Sequence, residues 1–311
     1  MKLRFSPTQL ITLTFFFSLL IIASCSKENS QSAADEEREA SMASSESNGE
    51  AEMVFNNVFD DAMGASDEVG MAGTGIFGRN SATGTVGDPG TERPSACFTV
   101  TITHPNNTPF PVRVVIDFGT VGCPGPGGHT RRGKIITDYT NRLLVPGAIA
   151  ETSFDGFYID DIKVEGTHKI TNTSSPVNTI PLSRQFTVDV INAKLTKPNG
   201  NYTEWNSHKI ITQLEGLVTP TVAIDDVFKI EGSAHGRVRR GALLVAWEST
   251  ITDPLIKRFN CRWIVKGRIR TARLNATVNS PWVAVLDFGN GNCDNLAVIT
   301  INGVSYNISL H

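Results

Sequence analysis

The sequence predicts an all-β fold for residues 95–311, an antiparallel meander that forms a large sandwich or a partly closed barrel. Many runs in this range alternate apolar and polar residues with the period of a half-buried strand, as Phe98 and Val100 do among threonines. Turn sequences separate the runs, and Asn302-Gly303 is typical of a two-residue hairpin turn. Short turns between sequential strands favour antiparallel neighbours, so we expect a meander.

The first 24 residues are predicted to be a signal peptide. Two basic residues precede an apolar run over residues 10–23, which is too short to favour a membrane-spanning helix. The run ends in Ile22-Ala23-Ser24-Cys25, which resembles the lipobox of bacterial lipoproteins. This resemblance implies cleavage before Cys25 and lipidation of its thiol, so that acyl chains hold the mature protein on a membrane. The alternatives are an ordinary secretory signal with a chance cysteine and an uncleaved anchor.

The residues after Cys25 resemble a sorting address. Ser26 is similar to the outer-membrane signal of bacteria with two membranes, where a residue other than Asp follows the lipidated cysteine. Lys27-Glu28 resembles the charged export signal of some Bacteroidota surface lipoproteins. These resemblances imply a protein that is lipid-anchored in the outer membrane and faces the periplasm or the cell surface.

Residues 25–94 are predicted to be the lipidated cysteine and an acidic, flexible and disordered tether. Residues 26–94 hold 14 acidic and 4 basic side chains, a net charge of about −10, whereas residues 95–311 hold 17 acidic and 22 basic ones, a net charge of about +5. Apolar residues recur at three- and four-residue spacing over residues 52–64, which predicts one short helix. Because such a helix is marginal alone in water, it either docks in an apolar groove of the β domain or stays disordered.

The β domain contains four cysteines, which fit an oxidising compartment. Folding the chain back about residue 110 brings Cys97 near Cys123, and folding it about residue 277 brings Cys261 near Cys293. We therefore predict these two disulfides among the three possible connectivities. A four-cysteine zinc site is the alternative, and it is disfavoured because the sequence has no C-x-x-C pair.

The β domain also repeats short sequences. Residues 115–119 are echoed by residues 285–289, and a cysteine follows each copy four residues later. Residues 159–166 are echoed by residues 224–232, and a histidine follows shortly after each copy. The echoes indicate a pseudo-repeat in which like sequences make like turns.

In combination, these motifs resemble those of a group of Bacteroidota lipoproteins of unknown function. The motifs are Asp117-Phe118-Gly119 before Cys123, Arg132-Gly133-Lys134-Ile135, Lys163-Val164-Glu165-Gly166, Cys261-Arg262-Trp263-Ile264-Val265, Asp287-Phe288-Gly289 with the asparagine-rich turn around Cys293, and the final Asn302-Gly303 hairpin. The resemblance covers most of residues 95–311. It implies an origin and a compartment, and it transfers no activity and no functional residues.

Basic residues define one candidate binding surface. They alternate along one predicted strand and are Arg262, Lys266, Arg268 and Arg270. The pattern predicts a face that charge keeps solvated, or a surface for an anionic partner such as an acidic glycan, a lipopolysaccharide phosphate or the acidic tether itself. Nucleic acid is disfavoured because the chain is predicted to be exported.

Two aromatic residues define a second candidate. Tyr202 and Trp205 lie beside the predicted turn at Asn199-Gly200 on a polar segment. Aromatic rings at a strand end stack on sugar rings, and the alternative is that they pack in the core or at an edge.

No motif in the sequence indicates a cofactor, a metal or a catalytic residue. The G-x-x-x-x-G-K match over residues 128–134 has Ile135 where a phosphate-binding loop needs Ser or Thr. Asn290, Asn292 and Asp294 alternate like calcium ligands, but the glycine and the bidentate carboxylate of such a loop are missing. The histidines are scattered and no G-x-S-x-G elbow occurs, so we expect no cofactor, no metal and no catalytic site.

The first functional hypothesis is therefore a membrane-anchored, non-catalytic binding or adhesion module for a glycan or an envelope protein. The alternatives are a structural or accessory lipoprotein of an outer-membrane complex, and a hydrolase with its site on the β-loops. A deep polar pocket that gathers Asp or Glu with His favours the hydrolase, and a flat basic or aromatic strip favours binding. An apolar patch without either favours assembly.

Overall fold

The computed structural model describes residues 33–64, 97–124, 129–175, 183–219, 225–274 and 280–310. The predicted signal peptide over residues 1–24, the lipidation site Cys25 and the parts of the predicted tether over residues 26–32 and 65–94 lie outside these ranges. Within the described ranges, no helix combines the length and the apolar character that crossing a bilayer requires.

The fold is one antiparallel sheet of 14 strands. Its strands are β1 (Thr99–Thr103), β2 (Val112–Asp117), β3 (Cys123–Pro124), β4 (Thr130–Tyr139), β5 (Ile149–Ile159), β6 (Ile162–Asn172), β7 (Gln185–Thr196), β8 (Tyr202–Glu215), β9 (Val227–Arg240), β10 (Leu243–Arg258), β11 (Ile264–Arg273), β12 (Ala284–Asn290), β13 (Leu296–Ile301) and β14 (Val304–Ser309). The strands follow one another across the sheet in chain order, and short β3 pairs with the start of β4. The predicted antiparallel meander is confirmed, and the sheet is not closed into a barrel.

Residues 33–64 form a helix, α1, around which the sheet curls. From Ala40 onwards almost every residue of α1 is buried. Residues of α1 face strands on opposite sides: Phe55 packs against Phe154 of β5, and Gly49 lies so close to Leu286 of β12 that an added Cβ would clash with it. The helix that the apolar spacing predicts over residues 52–64 is present, but it is longer and lies in the centre of the fold.

The prediction of a flexible tether is therefore wrong for residues 33–64. The physical reason is a polar stripe along α1, formed by Ser41, Ser45, Asn48, Glu52 and Asn56. The stripe lowers the mean hydropathy of the segment, and a low mean hydropathy is typical of a disordered chain. In the folded protein the sheet supplies polar partners to two members of this stripe: Trp205 Nε1 donates a hydrogen bond of 3.0 Å to Asn48 Oδ1, and Lys209 Nζ lies 2.9 Å from Glu52 Oε2.

Ion pairs between α1 and the sheet all have the same polarity. The acid belongs to the helix and the base to the sheet domain in each of the pairs Glu37–Arg273, Glu46–Arg240, Glu50–Lys197, Glu52–Lys209, Asp60–Lys257 and Asp61–Arg131. The opposite charges of the two sequence regions thus meet inside one fold. None of these bases is one of the four basic residues of the candidate binding surface, although Arg273 lies at the end of the same strand, β11.

Aromatic side chains pack around the middle of the helix. Phe55 stacks on Trp205 and on His168, with ring centroids 5.3 Å and 6.2 Å apart. His168 is fully buried, and neither of its ring nitrogens has a hydrogen-bond partner among the described residues. Burial lowers the pKa of His168 to about 3, so its imidazole is neutral at ordinary pH.

Both predicted disulfides are confirmed. Cys97 is bonded to Cys123 and Cys261 to Cys293, with Cα atoms 5.4 Å and 5.8 Å apart. In the chain-entropy treatment, loops of this size contribute roughly 3 to 4 kcal/mol each to stability. The first bridge ties the start of the sheet to β3, and the second ties the connection after β10 to the connection after β12.

The first sequence echo also makes equivalent turns. Asp117 and Asp287 each accept a hydrogen bond of 2.9 Å from the backbone N–H of the glycine two residues later, Gly119 and Gly289. The second echo does not repeat in structure. Asp160 and Asp161 form the turn between β5 and β6, whereas the matching residues 225–226 lie just before β9. The two copies of the first echo therefore share a turn geometry, and the two copies of the second do not.

Candidate functional site

One pocket of about 430 Å³ lies where two flanks of the sheet approach each other across α1, and we call it the seam pocket. One flank contributes the start of β4, the turn between β5 and β6, and the residues after β7. The other contributes the connection before β11, the residue before β13 and the residue after β14. The lining residues are Glu50, Val54, Asn57, His129, Ile159, Asp160, Ile162, Lys197, Pro198, Arg262, Trp263, Asn295 and Leu310.

His129 and Asp160 form a hydrogen-bonded pair on the first flank, through His129 Nδ1 and Asp160 Oδ2. The turn holds Asp160 in a left-handed backbone conformation with a φ of 47°. Its other carboxylate oxygen accepts a hydrogen bond of 2.8 Å from the backbone N–H of Thr130. The carboxylate is therefore fixed from two sides, and it orients the imidazole ring.

Burial lowers the pKa of His129, and the hydrogen bond to Asp160 opposes this effect. The nearby positive charges of Arg262 and Arg131 lower it further. The imidazole is thus neutral at neutral pH. Since Nδ1 faces a carboxylate, we assign the proton to Nδ1, and Nε2 then carries a lone pair that accepts a hydrogen bond.

Arg262 and Trp263 form the opposite wall. The guanidinium of Arg262 lies over the indole of Trp263, 4.0 Å from the ring centroid. Arg262 Nε is buried and has no hydrogen-bond partner among the described residues. Burial lowers the pKa of Arg262, and the charge of Asp160 opposes the shift. A buried N–H without an acceptor is costly, so this donor is available to a bound anion.

Lys197 and Glu50 close the pocket on the side of the helix. Lys197 Nζ lies 2.9 Å from Glu50 Oε1, so each charge already has a partner. Asp160 is likewise satisfied by His129 and Thr130. Among the charged side chains that line the described pocket, Arg262 is therefore the one with a buried donor that has no acceptor.

This arrangement suits binding better than covalent catalysis. The pocket gathers a histidine with a carboxylate, as a hydrolase site does, but its described lining contains no Ser, Thr or Cys side chain to act as a nucleophile. Trp263 is half-buried, so part of its ring faces the pocket. An aromatic ring beside a guanidinium offers an apolar surface together with a donor for an anion.

The basic set from the sequence does not form one surface. Arg262 precedes β11 and lies in the seam pocket, whereas Lys266, Arg268 and Arg270 face outward from β11. The prediction that all four share a face is wrong, because the strand begins only at Ile264 and its register with both neighbours shifts around Gly267.

Arg268 is also less available to a ligand than the sequence indicates. Its Nε donates a hydrogen bond of 2.7 Å to Asp287, and its Nη1 lies 3.3 Å from Asp253. The hydrogen bond to Asp287 raises the pKa of Arg268. This part of the outer face is therefore internally neutralised.

The two aromatic candidates are on opposite faces of β8. Trp205 is 1% exposed, and its ring packs on Phe55 in the core, so its proposed role as a sugar-stacking residue is wrong. Tyr202 is half-buried, and Lys194 Nζ lies 4.6 Å from its ring centroid. Successive side chains of a strand point to opposite faces, so residues 202 and 205, which are three positions apart, lie on opposite faces of β8.

The residues that alternate like calcium ligands serve the turns instead. Asp294 Oδ1 accepts a hydrogen bond of 3.0 Å from the backbone N–H of Leu296, and Asp287 binds Arg268 and Gly289. In the part of the chain that the structure describes, no three His, Cys, Asp or Glu side chains are placed to hold a metal ion.

Sequence reasoning missed His129, Asp160 and Trp263 as site residues. They come from connections separated by about 30 and 100 positions, and their meeting depends on the curl of the whole sheet. The doublet Asp160-Asp161 between Ile159 and Ile162 was a usable signal for a tight turn, but not for what that turn faces.

Comparison of the chain with known protein families, with curated proteins and with solved structures finds no match in any of the three.

Proposed function

We propose that the chain is a lipid-anchored lipoprotein of the outer membrane, of the Bacteroidota type that its motifs resemble, and that its sheet domain binds an anionic glycan in the seam pocket. The observation that carries the binding proposal is the buried, unpartnered Nε of Arg262 beside Trp263. The lipobox-like sequence at Cys25 supports the anchor, and the two disulfides fit an oxidising compartment.

The ligand is an anion because the charged side chain of the pocket with a buried, unpartnered donor is a cation, Arg262. A carboxylate or phosphate oxygen at this position accepts from Arg262 in a site that water only partly screens, where a charge-assisted hydrogen bond contributes about 1.5 to 3 kcal/mol. Such a bond corresponds to roughly 10- to 100-fold in affinity.

The rest of the ligand is a sugar because the pocket offers ring surface and hydrogen-bonding groups. Trp263 supplies apolar ring atoms to the pocket lining, with one ring face covered by Arg262, while His129 Nε2 and Asn295 supply polar contacts to hydroxyl groups. The pocket volume of about 430 Å³ suits a mono- or disaccharide unit at the end of a larger glycan.

The binding test uses the purified full chain in detergent and two acidic probes, polygalacturonate and lipopolysaccharide, with fully methyl-esterified polygalacturonate as the neutral control. We expect binding of at least one acidic probe and at least tenfold weaker binding of the ester. Arg262→Met removes the donor, and we expect it to weaken binding at least tenfold. Arg268→Met is the matched control because Arg268 is an exposed, internally paired arginine, and we expect less than a twofold change.

Three results would overturn the proposed site. They are binding of neither acidic probe, equal binding of polygalacturonate and its ester, and loss of binding in Arg268→Met but not in Arg262→Met. The last result would return the site to the outer face of β11.

The anchor has its own test. We expect Cys25→Ser to move the chain from the membrane fraction to the soluble fraction and to abolish incorporation of labelled palmitate. Membrane retention of an unlabelled Cys25→Ser protein would show that another segment anchors the chain.

A hydrolase is the second candidate because the pair of His129 and Asp160 leaves a basic imidazole nitrogen in the pocket. Release of reducing ends from the bound probe, abolished by His129→Gln, would favour it over a binding module.

A further inference from the structure

Two lysines of the sheet are buried against carboxylates of α1. Lys257 of β10 is 2% exposed, and its Nζ lies 2.7 Å from Asp60 Oδ2. Lys209 of β8 is similarly buried, and its Nζ lies 2.9 Å from Glu52 Oε2. We propose that Lys257 and Asp60 are joined by an intramolecular isopeptide bond, and that Lys209 and Glu52 remain an ion pair.

One side of the first pair is apolar. Lys257 lies directly across from Phe228 of β9, whose ring packs against Phe59 and Phe259 with centroids 5.7 Å and 5.8 Å apart. Burying an ammonium and a carboxylate in such a place is expensive, and replacing both charges by a neutral group removes this cost. The same burial raises the pKa of Asp60, which makes the protonated acid accessible.

A second buried carboxyl group belongs to the next residue of the helix, Asp61, and its Oδ1 lies 3.2 Å from Arg131 Nη1. Asp61 follows Asp60 on the helix, and the charges of Asp60 and Lys257 both act on it. Burial, opposed by Arg131, raises the pKa of Asp61 to about 7. A carboxyl that gains and loses a proton near neutral pH is suited to carry protons between an amine and a leaving hydroxyl.

The reaction balances without any further reagent. Proton transfer within the pair gives the neutral amine of Lys257 and the carboxylic acid of Asp60. Nζ attacks Cγ of Asp60 and forms the C–N bond, and Asp61 takes the proton that the nitrogen loses. The C–O bond to the hydroxyl then breaks, Asp61 returns the proton to it, and one water molecule leaves. The fold holds the two groups in contact, which replaces the high concentration that amide formation otherwise needs.

The hydrogen bonds around the pair fit the product. Lys257 Nζ donates a hydrogen bond of 2.8 Å to the carbonyl oxygen of Cys261, and an amide keeps one N–H for this bond. Asp60 Oδ1 is buried without a hydrogen-bond partner among the described residues. An unpartnered amide oxygen costs less than an unpartnered carboxylate oxygen, because it carries less charge.

The second pair lacks the proton carrier. The described residues around Lys209 and Glu52 include His168, Asn56 and Ser207, and no carboxyl other than Glu52 itself. The imidazole of His168 is held neutral by burial, with its pKa lowered to about 3, so it is a poor proton donor at neutral pH. This pair is therefore a matched internal control.

The test is a peptide map of the full chain after reduction of the disulfides and digestion with trypsin. We expect a branched peptide that joins the segments of Asp60 and Lys257 and weighs one water molecule less than the two together, with no cleavage after Lys257. Two linear peptides with cleavage after Lys257 would overturn the proposal, and this result needs no variant that might fail to fold.

Two variants sharpen the assignment. Asp61→Asn keeps the volume of the side chain but cannot shuttle protons, and we expect it to lower the yield of the branched peptide at least tenfold. Lys209→Met is expected to leave the yield unchanged. Full yield in Asp61→Asn would overturn the role given to Asp61.

Discussion

Charged side chains occur both in the seam pocket and in the interface between α1 and the sheet. The two regions differ in how these charges are paired. In the interface each acid of the helix meets a base of the sheet, as in Glu52–Lys209 and Asp61–Arg131. In the seam pocket Arg262 keeps a buried donor without an acceptor. Charges that are matched within the chain specify how the helix is placed, whereas an unmatched charge in a pocket is available to a ligand.

The largest effect is expected from breaking the matched set. Glu52→Ala leaves the ammonium of Lys209 buried without its partner, and we expect a loss of roughly 3 to 5 kcal/mol in the free energy of unfolding. Asp138→Ala breaks the exposed pair with Arg113 and is the control, with an expected loss of less than about 1 kcal/mol. Denaturant unfolding of both variants measures the difference. Equal losses would show that Glu52 and Lys209 are solvated and that α1 is not inside the sheet.

An intermediate effect is expected from pH acting on His168. Its pKa in the folded state, about 3, lies below the ordinary value of 6.5, so the fold favours the neutral ring. Its contribution to stability is complete above about pH 6.5 and is lost as the pH falls towards 3. At about pH 4.5 the loss is about 3 kcal/mol.

The titration of Asp61 changes stability with pH in the direction opposite to that of His168. Its pKa is raised from 3.8 to about 7, so the folded protein binds this proton more tightly, and stability is gained as the pH falls from about 7 to about 4. We therefore measure His168→Leu against wild type at pH 7 and at about pH 4.5, because Asp61 is common to both. The variant should lose about 3 kcal/mol less than wild type on acidification. An equal loss would show that His168 is reached by solvent.

The smallest effect on stability is expected in the seam pocket. Arg262→Met removes an unpartnered donor and keeps an apolar chain over Trp263, so we expect a change within about 0.5 kcal/mol. Binding of the acidic probe should be lost at the same time. A thermal melt and a titration of the same sample separate the two readouts. A loss of stability comparable to that of Glu52→Ala would place Arg262 in the structural set.

The parts of the fold that could be predicted depend on local signals. Strands follow from alternation, and the disulfides follow from hairpin geometry, since Cys261 and Cys293 flank strands that pair directly. The burial of α1 could not be predicted, because Asn48 and Glu52 are disfavoured in a core unless the sheet provides partners such as Trp205 and Lys209. Those partners are about 160 positions away in the sequence.

The candidate site was the least predictable part for the same reason. The sequence predicts Arg262 and Arg268 on one face of a strand. Because β11 begins only at Ile264, Arg262 lies before the strand and Arg268 lies on it. Its relation to His129 and Asp160 depends on two flanks of the sheet that are far apart in the strand order. Trp205 is a different case, because the odd spacing from Tyr202 already indicates opposite faces of one strand.

Amide hydrogen exchange of the full chain tests most directly whether the acidic segment belongs to the core. We expect the amides of residues 40–64 to be protected as strongly as those of β7 and β8, because their opening requires the sheet to open. Exchange of these amides at the rate of an unfolded peptide, while β7 and β8 stay protected, would contradict the placement of α1 inside the sheet.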